Sequence, residues 1–174
     1  MFNVKPKAVF LAASLLAVSS IASASNNFSY NYIEARSGLS PLTMGLEGGT
    51  QIMDNLHLVG RIDSKLESDW DLAGGIGFNG PLNQFADIYG QMLIHNISEK
   101  NKSGTDFKPE LNVGLRVWLT NQMEATGRIG VLKDKTVFHG GIKFHSTETL
   151  VLSADIRNNG VYGVQPTLGV RFQF

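Results

Sequence analysis

From residue 25 onward the chain alternates apolar and polar residues in short segments separated by clusters of Asn, Asp, Gly, Ser and Pro, and no 3.6-residue period survives there. A two-residue period with turn punctuation specifies antiparallel β-structure. In residues 42–52, Leu42, Met44, Leu46 and Ile52 take one face and Thr43, Glu47 and Gln51 the other. A slip of one residue would exchange the two faces. Ten such segments are predicted, at residues 28–37, 42–52, 56–63, 70–78, 85–95, 111–119, 123–131, 138–145, 150–157 and 162–174. The first is the least regular, because Phe28, Tyr30 and Tyr32 fall in one phase and Ile33 and Ala35 in the other. A bulge or a residue pointing along the membrane interface would reconcile them, and if that segment or a neighbour does not pair, eight strands remain. The fold class is all-β.

Residues 1–24 read differently. Lys5 and Lys7 precede an apolar run at residues 8–18, and the small residues Ala22, Ser23 and Ala24 follow. This is the layout of a cleaved secretory leader, and the run is too short for a spanning helix. Residues 25–174 then form one domain. Cleavage removes two lysines and no acids from a chain with 15 basic and 15 acidic groups, leaving it slightly acidic. Without a basic face the domain is not a nucleic-acid binder. Without cysteine it has no disulfide, thiol nucleophile or zinc ribbon, so an exported fold must rest on packing and hydrogen bonds.

Alternation does not say which face is buried. A soluble sandwich turns its apolar face inward, whereas a membrane barrel turns it to lipid and keeps the polar face inside. Three features favour the barrel. The polar face carries charges in mid-strand; glycines recur within strands, at Gly45, Gly48, Gly60, Gly75, Gly114, Gly130 and Gly141 among others; and the chain finishes on Leu168, Val170, Phe172 and Phe174 alternating with Gly169, Arg171 and Gln173. Strand glycine is costly in an open sheet but relieves crowding in a narrow lumen and permits tight curvature. The reading is a closed antiparallel up-and-down transmembrane β-barrel.

That last alternation, ending on an aromatic residue, is similar to the C-terminal signature of bacterial outer-membrane barrels. The run Phe28, Ser29, Tyr30, Asn31, Tyr32, Ile33, Glu34, with Gly114-Leu115-Arg116 and Gly169-Val170-Arg171-Phe172, resembles the small porin-like barrels of that class. The resemblance implies the outer membrane of a Gram-negative cell, contact with outer-membrane lipid and lipopolysaccharide, and insertion by the barrel-assembly machinery through Val170, Phe172 and Phe174. An even strand number puts both termini on the periplasmic side. Short turns at residues 54–55, 79–84, 120–122 and 146–149 are then periplasmic, and the longest connection, residues 98–108, is external. Phe28, Tyr30, Trp70, Phe78, Phe144, Phe172 and Phe174 are candidate interface girdles.

Chemistry is sparse. Of the four histidines, His139 and His145 share an inward face but lie about 20 Å apart along a strand, too far to share a metal ion. His95 is the histidine nearest an outer strand end, Asp69 and Asp71 form a candidate acidic pair, and no Gly-x-Ser-x-Gly arrangement accompanies them. No cofactor, metal or catalytic activity is expected. Instead, Arg61, Arg116, Arg128, Arg157 and Arg171 face inward with Glu47, Asp63, Asp87, Glu124 and Asp155. Opposite charges there either neutralise one another and plug the lumen, or line a narrow channel for small polar solutes. A surface-adhesion role through residues 98–108 is the alternative.

Overall fold

The computed structural model describes residues 27–66, 69–98 and 104–174, so the expected leader lies outside it. Ten strands follow in order: β1 (Tyr32–Leu39), β2 (Leu42–Met53), β3 (Leu56–Ser64), β4 (Trp70–Asn83), β5 (Ala86–Ser98), β6 (Thr105–Trp118), β7 (Met123–Leu132), β8 (Lys135–His145), β9 (Leu150–Asn158) and β10 (Val164–Gln173). Each pairs antiparallel with its neighbour, and β1 closes on β10 with Tyr32 opposite Gln173 and Gly38 opposite Thr167. Closure leaves no unpaired strand edge.

The barrel is inverted relative to a water-soluble core. Leu42, Met44, Leu46, Leu58, Ile62, Leu72, Met92, Ile94, Leu115, Ile129, Ile156 and Leu168 are exposed, while Glu47, Arg61, Asp63, Glu124 and Arg171 are buried. A continuous apolar exterior around a charged interior is stable where the surrounding medium is hydrocarbon. Two clusters of buried apolar side chains lie at the two ends. Phe28, Tyr30 and Tyr89 pack with Trp118 at the end where the chain enters and leaves the barrel, here the terminal mouth. Ile97, Leu132 and Val137 pack with Val161 at the opposite mouth.

Several boundaries differ from the sequence expectation. Phe28 and Tyr30 are neither strand residues nor girdles: β1 starts at Tyr32, and both rings turn into the barrel. The two phases of this segment therefore need no bulge; Tyr32, Glu34 and Arg36 point in and Ile33 points out. The expected turn at residues 79–84 shrinks to Gln84 and Phe85, because Asn79, Gly80 and Pro81 pair with Tyr89, Ile88 and Asp87. A register shift beside Pro81 accommodates a residue that cannot donate to the ladder. β6 begins six residues earlier than Leu111, and Ser98 pairs with Thr105. Ser98 and residues 105–108 of the supposed outer loop 98–108 are thus paired strand, and residues 99–103 lie outside the described residues.

Candidate functional site

Inward glycines make room for the interior side chains. Gly45 lies directly opposite Asp63, Gly77 opposite His57, Gly114 opposite Tyr89 and Gly141 opposite Asp155. In each pair the larger side chain lies across the space a glycine Cβ would fill. The outward glycines Gly60 and Gly127 have nothing within 4 Å of that position. The glycine pattern is therefore the mould of the lumen contents.

At the level of β1 to β3, Glu47 accepts hydrogen bonds from Tyr32 (2.6 Å), Arg36 (2.7 Å) and Arg61 (3.1 Å). Asp63 accepts from Arg157 at 2.7 Å and from Arg36 at 3.4 Å. Arg61 lies 3.6 Å from Glu110, which also meets His95 at 2.8 Å, and His95 meets Asp71 at 2.8 Å. One chain of charge contacts thus runs from Arg157 on β9 through β3, β1, β2, β6 and β5 to Asp71 on β4. Both ring nitrogens of His95 face carboxylates, so neither is free to serve a nucleophile, and Asp71 of the expected Asp69–Asp71 pair is engaged by His95.

Nearer the terminal mouth, Arg116 grips Glu124 with two bonds, 2.7 and 3.0 Å, and His145 adds a third at 3.0 Å. Bidentate geometry is the strongest form of such a pair. Arg171 donates to Glu34 at 2.6 Å and lies over the Tyr32 ring, 3.7 Å from its centroid. His139 sits 3.2 Å from Asp155, and Asp87 accepts from Tyr30 at 2.6 Å. Among the described residues no group of three or more His, Cys, Asp or Glu is placed to hold a metal ion.

Nine of the ten expected lumen charges are buried, and the tenth, Arg128, is half-buried. Glu47 with Arg61, Asp63 with Arg157, and Arg116 with Glu124 meet each other. Asp87, Asp155 and Arg171 instead meet Tyr30, His139 and Glu34. Arg128 differs: its hydrogen bond is to Gln91 at 3.3 Å, and it has no carboxylate within salt-bridge distance among the described residues. Glu34, Arg36 and Glu110 were missed by sequence reasoning. Their signal was present, since Glu34 and Arg36 continue the phase of Tyr32, and Glu110 that of Asn112.

Between these groups lie two cavities. The larger, about 40 Å³, extends from Tyr30 to Thr167, and its wall carries Arg36, Arg116, Arg128, Lys143, Arg157 and Arg171 against Glu34, Glu47 and Asp155. The smaller, about 10 Å³, continues toward the opposite mouth between Arg61, Glu110, Phe138 and Asn159. Arg128 and Arg157 line both. These volumes hold a few waters and about one water respectively.

No protein-family model matches the chain, and no curated protein matches it. Solved structures share its fold. The KdgM porin aligns over 82% of this chain and 99% of its own with 8% identity and a TM-score of 0.54. A KdgM porin in complex with disordered oligogalacturonate aligns over the same shares with 9% identity and a TM-score of 0.52. The NanC porin covers 82% of this chain and 98% of its own, with 9% identity and a TM-score of 0.46. The fold is that of a porin-like β-barrel.

Proposed function

We propose that the protein is a non-enzymatic outer-membrane barrel that acts as a narrow channel for small polar solutes, with a preference for anions. The observation that carries this reading is the pair of in-line cavities meeting at Arg128 and Arg157, with Arg128 lacking a carboxylate partner among the described residues. An arginine not locked in a contact ion pair can replace part of a passing anion's hydration. Cations also outnumber carboxylates on the wall of the larger cavity, which favours anions in a low-dielectric lumen. The KdgM porin, a fold neighbour, has been solved with oligogalacturonate, an acidic oligomer, which agrees with this direction.

In this reading the terminal mouth faces the periplasm, and outer-membrane lipid and lipopolysaccharide cover the apolar exterior. The outward residues Val170, Phe172 and Phe174 present the assembly signal. The test is single-channel recording in a planar bilayer under a salt gradient, with heat-modifiable gel migration to verify folding. Discrete steps with a reversal potential on the anion side are expected. A folded barrel that favours cations, or that stays silent at every voltage with its terminal mouth intact and with it opened, overturns the reading. The second result would return attention to surface interaction through residues 98–108.

A further inference from the structure

The segment before β1 is placed in a seat rather than left at the rim. Phe28 and Tyr30 are each only 3% exposed, although residues 27–31 belong to no strand. The Phe28 ring stacks on Trp118 at 5.5 Å, and the Tyr30 ring stacks on His57 at 4.5 Å. The Arg116 guanidinium, fixed by Glu124, lies 4.8 Å from the centroid of Phe28 and 5.1 Å from that of Tyr30. Arg116 also donates to the Ser29 carbonyl at 3.0 Å. Tyr30 donates to Asp87 at 2.6 Å, and the Asn27 amide donates to the Gln84 carbonyl at 2.8 Å. Tyr30 forms part of the larger cavity's wall, so this segment is its floor.

We propose that residues 27–30 are a withdrawable stopper of the terminal mouth, and that their release opens the path through Arg128 and Arg157. This rests on the channel reading above and adds its regulation. The contacts suit a removable part. Residues 27–30 take no part in the sheet ladder, so the segment leaves without breaking a strand pair. Asn31 provides the pivot, since its carbonyl accepts from the Phe174 amide at 3.2 Å and its side chain from the Gln51 amide at 2.7 Å. The seat is made by three barrel strands and stays in place when the stopper leaves: Trp118 is on β6, His57 on β3 and Asp87 on β5.

The test uses the full chain, processed by the expressing cell and purified from its membranes. Phe28→Ala with Tyr30→Ala should raise open probability about tenfold or more in bilayer recordings, because two ring stacks and the Asp87 bond are removed. The chain has no cysteine, so Asn27→Cys with Gln84→Cys gives a single cross-link. Oxidised, this variant should stay closed; reduced, it should recover the openings of the unsubstituted protein. In a Trp70→Phe background, acrylamide quenching of Trp118 should rise in the alanine variant. Equal conductance in all forms, insensitive to the cross-link, overturns the stopper and leaves the channel. Folded barrels that are silent in all forms overturn both.

Discussion

Arg157 donates to Asp63 at 2.7 Å across the lumen, although β9 and β3 are separated in the closed sheet by β10, β1 and β2. The two residues are 94 positions apart in sequence and both are buried. The bond therefore staples opposite walls. Removing one partner of such a pair leaves a desolvated charge, whereas removing both leaves only lost contacts. Asp63→Asn should cost about 3–5 kcal/mol in urea unfolding of the lipid-embedded barrel, and Asp63→Asn with Arg157→Met distinctly less than the sum of the single variants. Additive losses would mean that the two residues do not act as a pair.

Arg116 and Arg128 were equivalent in sequence, each an inward arginine alternating with apolar neighbours, and the structure separates them. Arg116 is held by Glu124, the Ser29 carbonyl and two aromatic rings; Arg128 has one bond to a neutral amide. Arg116→Ala should destabilise the barrel by about 1.5–3 kcal/mol, because Glu124 stays buried with only His145 and, at 4.0 Å, Lys143 to face it. Arg128→Ala should cost about 1 kcal/mol and shift the reversal potential in a salt gradient toward cations. A normal reversal potential in folded Arg128→Ala would remove this residue from the conduction path.

Period two made the fold legible, because a strand facing lipid on one side and a polar lumen on the other alternates, as in Leu111 to Val117. It failed where charge and proline imitate a loop. Asp106, Lys108 and Pro109 read as connection, yet Phe107 and Pro109 face outward and Lys108 and Glu110 inward, continuing the β6 phase. The identity of the inward residues was readable in the same way, but the pairing was not. Which carboxylate meets which arginine depends on strand tilt and on where a glycine lets a side chain lie down, and neither is encoded locally. The role of Phe28 and Tyr30 was hidden for a related reason: aromatic residues beside a strand suit an interface girdle and an internal plug equally well.

The glycine mould makes a paired prediction. Gly77→Ala would drive a methyl group into the His57 ring, which is itself held by Asn79 at 3.0 Å and by the Tyr30 stack. A loss of about 1–3 kcal/mol is expected from overpacking. Gly60→Ala points outward into open space, and should be neutral or stabilising by about 0.4–1 kcal/mol through the unfolded chain. Urea titrations of the two variants check this, and equal effects would show that inward glycines are not packing sites.

Phe174→Ala tests the proposed assembly signal apart from stability. Phe174 lies beyond β10, is 72% exposed, and is tied by its amide to the Asn31 carbonyl rather than by its ring. Phe174→Ala keeps that backbone bond and every interior contact. The assembled barrel should therefore unfold within about 1 kcal/mol of the unsubstituted protein. If the terminal aromatic is the feature that the assembly machinery reads, the same substitution should slow the appearance of the heat-modifiable folded form in a pulse-chase experiment in cells. Refolding of the purified chain into lipid should keep its rate. Unchanged kinetics in cells would remove Phe174 from the signal, and a parallel slowing in lipid alone would show that the ring acts by partitioning into the interface rather than by being recognised.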